Sequence, residues 1–189
     1  EGKVATPGDF NATNLAIQAD GKIVVAEGTD GWENCGLPSQ FRISRYNADG
    51  SLDSAFGVGG RLISNFSGDP QVFVASGAED VAIQPDGKIV TAGGSFTGSS
   101  ISTLQPFDFA LARHDNTGTL DATFDNDGKV TTDFGGNDYA QRVVVQADGK
   151  IVVAGYSLVG SNGDFAVARY DSNGALEHGF NIAGSKAGT

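Results

Sequence analysis

Ala16-Ile-Gln-Ala-Asp-Gly-Lys-Ile-Val-Val-Ala26 recurs as Ala82-Ile-Gln-Pro-Asp-Gly-Lys-Ile-Val-Thr-Ala92 and again as Val144-Val-Gln-Ala-Asp-Gly-Lys-Ile-Val-Val-Ala154. Near-copies of this length are an internal repeat, and a repeat of this period governs the choice of fold. Each copy sets two apolar runs on either side of Asp-Gly, at Asp20-Gly21, Asp86-Gly87 and Asp148-Gly149. Asp-Gly supplies the positive φ of a tight hairpin turn, so each copy is expected to be a hairpin.

A second element follows each hairpin: Phe41-Arg-Ile-Ser-Arg-Tyr46, Phe109-Ala-Leu-Ala-Arg-His114 and Phe165-Ala-Val-Ala-Arg-Tyr170. Period-two alternation puts Phe, an aliphatic residue and Arg on one face of a strand, with small or amphipathic residues on the other. Turn residues come next, then the pairs Leu52-Asp53, Leu120-Asp121 and Leu176-Glu177. A short strand after glycine completes the pattern at Gly60-Arg-Leu-Ile63 and Gly128-Lys-Val-Thr131, with a third version at Gly2-Lys-Val-Ala5.

Four short strands per unit, repeated about every 55–70 residues, predict an all-β fold of β-propeller-type blades. The expectation is three four-stranded repeats forming a single repeat domain over residues 1–189, with units near 1–59, 60–127 and 128–189. A Greek-key sandwich is the competing architecture, but it does not require a repeated sequence.

Composition agrees. The 189 residues include 28 glycines, 12 phenylalanines and no methionine, which suits short strands and tight turns rather than helices. A net charge of −11 repels a phosphate backbone, so nucleic acid is not an expected partner. The longest apolar runs, such as Ile151–Ala154, fall far short of the ~20 residues that span a bilayer, so no membrane insertion is expected. The single cysteine, Cys35, excludes an intrachain disulfide framework. The first residues match the inside of a repeat, which reads as a processed or trimmed chain, or one cut from something longer, and fits export.

The sequence Gln-Ala/Pro-Asp-Gly-Lys-Ile-Val-Val/Thr-Ala, followed by Phe-Ala-Leu/Val-Ala-Arg-Tyr/His, Leu-Asp-x-x-Phe and Gly-Lys-Val, resembles the delta-60 repeat of bacterial β-propeller proteins. The resemblance covers nearly the whole chain. It implies a propeller-type fold and a large modular, often exported or surface, protein as the usual context, and it supplies no catalytic residues. Departures from the pattern are inserts: residues 27–40, residues 66–79 with 93–106, and the shorter 155–163. Specificity is expected in these loops.

Candidate residues fall into three groups. Arg45, Arg113 and Arg169 each have an acid eight residues on, at Asp53, Asp121 and Glu177. A charge repeated in step with the fold reads as a structural salt bridge in each blade. Trp32, Glu33 and Asn34 in the first insert and Phe96 in the second form a ligand-binding candidate, since an aromatic platform flanked by polar groups can stack a sugar ring; a tryptophan packing its own loop is the bland alternative. The repeated Asp of Asp-Gly and the acids Asp125, Asp127, Asp133 and Asp138 invite a calcium reading, since that ion takes several oxygen ligands, and Asp125 and Asp127, in Asp-Asn-Asp-Gly, are the metal candidate as the best local cluster. The cluster lacks the spacing of an EF-hand loop, and turn chemistry competes with that reading.

His114 and His178 have no neighbouring cysteine, serine elbow or second histidine at metal spacing, and read as surface or strand-end residues. Calcium apart, no cofactor is expected. The reading is a noncatalytic extracellular or cell-surface propeller module for adhesion, ligand binding or assembly, with a glycan or surface protein as ligand. The alternative is a propeller enzyme acting on a glycan with carboxylates at the channel mouth. Propellers have about four to eight blades, so three units leave a ring incomplete and predict a homo-oligomer or further blades of a longer protein.

Overall fold

A computed structural model describes residues 2–5, 11–28, 40–66, 77–96, 107–160 and 162–180. Among these residues eleven strands form antiparallel meanders. The first blade is β1 (Asn11–Ile17), β2 (Ile23–Gly28), β3 (Gln40–Tyr46) and β4 (Arg61–Asn65). The second is β5 (Ala78–Ile83), β6 (Ile89–Phe96), β7 (Phe107–His114) and β8 (Lys129–Thr132). The third blade has three strands among the described residues: β9 (Asn137–Val145), β10 (Ile151–Val159) and β11 (Asn162–Tyr170). In each blade consecutive strands are neighbours, the order that a repeated hairpin pattern produces. The sheets are out of phase with the sequence units by one strand. β4 and β8, which open the second and third units, hydrogen-bond into the sheet before them.

The hairpin turns show what Asp-Gly does. Gly21, Gly87 and Gly149 have φ of 83°, 84° and 83°, whereas no aspartate preceding them has positive φ. The Gln18 amide donates to Lys22 O at 2.8 Å, which closes a loop of three residues with glycine in the left-handed position. The aspartate works through its side chain instead: Oδ1 of Asp20, Asp86 and Asp148 accepts from the amide two residues on, at 3.1, 3.2 and 3.2 Å.

A bulge recurs at one place in every blade. Thr13, Glu79 and Gln141 are the extra residues where the register slips between the first and second strands. Beyond the slip the two backbones close in. A methyl group at Gly93 would lie 2.1 Å from Gly77 O, and one at Gly155 would lie 1.9 Å from Tyr139 O.

Alternation then sends each strand's two faces into different cores. From the first blade Val24, Ala26, Phe41 and Ile43 meet Ala78, Val81, Ile89, Ala110 and Ala112 of the second. From the second, Val90, Ala92, Phe109 and Leu111 meet Val143, Ile151, Val153, Ala166 and Tyr170 of the third. The core is therefore two blade-to-blade interfaces, and the small residues on β7 and β11 leave room for the neighbour's phenylalanine.

Gly155→Ala is expected to destabilise the fold by about 2 kcal/mol, because backbone rather than a movable side chain blocks the new methyl. Urea unfolding measures it, with Gly179→Ala, whose added methyl meets nothing within 4 Å, as the silent control.

Candidate functional site

The residues singled out by their repetition converge at the end of each blade's third strand. Arg45 Nε donates to Asp53 Oδ2 at 2.8 Å, and Nη2 of the same arginine lies 2.8 Å from that oxygen. Arg113 Nε stands 2.9 Å from Asp121 Oδ2 as an ion pair, off the hydrogen-bonding direction, while its Nη2 donates to Thr123 Oγ1 at 2.8 Å. Arg169 Nε donates to Glu177 Oε2 at 2.6 Å. Every guanidinium also covers a phenylalanine ring, Phe56, Phe124 or Phe180, at 4.3, 4.7 and 4.5 Å from the centroid.

The sequence reading missed a third member. Lys22, Lys88 and Lys150 bring Nζ to within 3.0, 3.0 and 2.8 Å of the same acids. The signal was present, since these lysines repeat inside Asp-Gly-Lys, but hairpin chemistry already accounted for that motif. The Lys22 ammonium, with Ala55 N and Arg45, holds the Asp53 carboxyl below its ordinary range against its burial. Burial opposes ionisation of Asp121 as well, and the Thr123 hydroxyl and Lys88 more than offset it, so this carboxyl is held far down. Lys150 first, then Arg169, lowers Glu177.

These arginines also join one blade to the next. Arg45 Nη1 donates to Asn116 O at 2.7 Å and to Asn116 Oδ1 at 2.8 Å, and Arg113 Nη1 donates to Ser172 O, both in the turn of the following blade. The turn glycine is what lets the blades approach. A methyl at Gly118 would lie 3.2 Å from both Phe56 and Leu62, and one at Gly174 would lie 2.9 Å from Phe124 and 3.1 Å from Val130. Arg169 has no following blade among the described residues, and its side chain is 26% exposed against 3% and 2% for Arg45 and Arg113.

His114 takes part in this junction as well. It ends β7 and is buried rather than on the surface, with Nε2 2.7 Å from Ser64 Oγ. Tyr170 OH makes the equivalent contact to Thr132 Oγ1 at 2.7 Å one blade later. A serine beside a histidine therefore has an architectural cause here, and both are sealed between sheets. Burial depresses the His114 pKa to about 4.

The two end faces are the interfaces left open. Leu15 is 55% exposed, whereas Val81 and Val143 at the matching positions are 5% and 3% exposed. At the other end Phe165 is 85% exposed, whereas Phe41 and Phe109 are fully buried. On the first face a groove of about 410 Å³ is lined by Val4, Ile23, Val25, Tyr46 and Ile63, with Glu27 and Arg42 at positions that are glycine and alanine in the other blades. A methyl at Gly50 would lie 2.8 Å from Val4 Cγ2. Gly50 corresponds to Gly118 and Gly174, and Val4 of Gly-Lys-Val corresponds to Leu62 and Val130. Val4 thus touches the first blade where the outer strand of a preceding blade touches the second and third.

Of the ligand-binding candidates, Trp32, Glu33 and Asn34 lie outside the described residues, and Phe96 ends β6 opposite Phe107. Asp125, with φ of 47°, and Asp127 are exposed in the turn before β8; the Asp125 amide donates to Asn173 O at 2.9 Å, and Asp127 Oδ1 accepts from Lys129 N at 2.9 Å. The acids that do converge among the described residues are Asp108, Asp133 and Asp138, with one oxygen of each within 4.8 Å of the others.

The family described as "Domain of unknown function (DUF5122) beta-propeller" matches residues 18–56, 84–124 and 146–180. No curated protein matches the chain. Among solved structures, a protein of unknown function from Bacteroides caccae aligns at 13% identity with a TM-score of 0.33, over 92% of this chain and 68% of that one.

Arg113→Ala should cost about 3 kcal/mol, since it empties a buried site, takes one of two cations from the Asp121 carboxylate and opens a blade junction, and Arg169→Ala at most about 1 kcal/mol. Chemical unfolding of the two variants checks the ranking. The depressed His114 pKa gives a second expectation. The unfolded chain takes up a proton below about pH 6.5 that the folded one refuses until about pH 4, so stability falls as pH drops through this window. Denaturation midpoints followed across it should show a loss on the order of 3 kcal/mol that His114→Tyr, the residue of the other two blades, removes.

Proposed function

The chain belongs to the β-propeller family described as a domain of unknown function (DUF5122), and from that membership we propose that it is a noncatalytic extracytoplasmic module of delta-60 type whose work is assembly. The observation that carries this reading is Val4 against Gly50, the contact that Leu62 makes with Gly118 and Val130 with Gly174. Residues 2–5 act as the outer strand of a blade that precedes the first, and β11 is the third strand of a blade whose outer strand lies outside the described residues. In this reading another copy supplies that strand, with further blades of a longer protein as the alternative source. Leu111 pairs with Val130 and Ala112 with Lys129, so the same register sets Val167 opposite Val4 and Ala168 opposite Lys3. The partner's Arg-bearing face then covers Leu15, Ile17 and Ile23, and Phe165 leaves solvent.

Two copies of three blades make six, within the range of closed propellers. A closed ring removes both open faces and the edge of β11 that is unpaired among the described residues, which an isolated stack exposes to aggregation. The extracytoplasmic placement and an adhesive or glycan-binding surface on the inserts rest on the resemblance of the repeats to those of exported surface proteins.

Light scattering at micromolar concentration is expected to give a dimer, and removal of residues 1–6 to dissociate it. A stable folded monomer, or a truncated chain that still assembles, contradicts the reading.

A further inference from the structure

Asp108 is the second residue of β7, Asp133 directly follows β8, and Asp138 is the second residue of β9. The register Phe109 opposite Thr132 sets Asp108 beside Asp133, and the short link from β8 to β9 returns Asp138 to the same corner. Asp138 is fully buried. Its Oδ2 accepts from the Phe134 amide at 2.6 Å, while Oδ1 is buried with no hydrogen-bond partner. Ser157, opposite Asp138 in the ladder, has a buried Oγ that is also without a partner. A buried carboxylate oxygen with nothing to bond is destabilising, more so next to two further carboxylates.

Blade architecture does not explain this corner. The first blade has Gln40 and Asn65 where the second has Asp108 and Asp133, and it pairs its strands equally well. The acids are additions to the repeat. Their oxygens are all hard donors, with no nitrogen or sulfur, which selects against zinc and copper and for a hard divalent ion. Asp108 and Asp138 are held by strand backbone, and Asp133 stands at the exposed side of the corner with Oδ1 tied to the Gly135 amide at 2.6 Å. An incomplete set of carboxylates open to water on one side suits calcium, which accepts irregular coordination by six to eight oxygens, better than magnesium, which demands a near-ideal octahedron.

We propose that Asp108, Asp133 and Asp138 form a calcium site that ties the second blade to the third. The ion takes the unpartnered Asp138 oxygen as a ligand and locks the β8–β9 link. The site differs from the Asp125–Asp127 turn named from sequence, and it does not depend on the assembly reading, because all its ligands belong to one chain.

The test is calorimetric titration of calcium chloride into the full chain stripped with chelator, together with thermal unfolding with and without the ion. Saturable binding is expected, with a dissociation constant on the order of 10⁻⁴–10⁻³ M, and calcium should raise the melting temperature by several degrees where equal magnesium does not. Asp133→Asn, an exposed change that leaves the fold intact, should weaken binding by roughly tenfold or more, and Asp127→Asn should not. In chelator, Asp138→Asn should melt no lower than the parent, since it removes a buried like charge. Absence of saturable binding, or a calcium response lost in Asp127→Asn but kept in Asp133→Asn, overturns the proposal.

Discussion

A blade of this protein is apolar on both faces, and that constraint governs everything else. A sheet with one wet face can stand at the edge of a domain, but Val24 and Ala26 on one side of β2 and Ile23 and Val25 on the other each need a cover. Blades must therefore be stacked, each serving as the lid of the one before. The chain satisfies this twice, between the first and second blades and between the second and third. Its two remaining faces, with Leu15 on one and Phe165 on the other, stay open among the described residues.

The polar groups hold the stack in one geometry. An arginine held by an acid, covered by a phenylalanine and aimed at a carbonyl of the next blade fixes both the twist and the spacing of the pair. A lysine beside the same carboxylate adds a second cation, so the carboxylate stays ionised although it is largely withdrawn from water. Glycine at the receiving turn and a hydroxyl-to-histidine or hydroxyl-to-tyrosine contact complete the junction. Each junction therefore carries specificity as well as burial, which argues for a stack that admits blades of its own kind.

Much of this was legible in the sequence because the fold is periodic. The hairpins, the Phe-x-aliphatic-x-Arg strand and the Arg-acid spacing could be compared with themselves three times, and alternation assigned their faces. What escaped was whatever a single blade does not contain. The lysine contact joins two motifs that were read separately. Burial of His114 depends on Ser64 in the neighbouring sheet, fifty residues away. The acidic corner joins Asp108 of β7 to Asp133 and Asp138 around the β8–β9 link; the sequence named Asp133 and Asp138 among acids open to a calcium reading but favoured Asp125 and Asp127 as the tighter local cluster, and Asp108 escaped it. Strand phase escaped for a related reason: Gly-Lys-Val opens a repeat on paper and closes a blade in space.

The central claim is that residues 2–5 of one copy complete the sheet ended by β11 of another. Disulfide trapping tests it most directly. In a background carrying Cys35→Ser, chains with Val4→Cys are mixed with chains with Val167→Cys and oxidised, so only a link between molecules can form. The account predicts rapid formation of the mixed covalent dimer, and none when Val167→Cys is replaced by Leu158→Cys. Equal trapping at both positions, or trapping at neither, contradicts it.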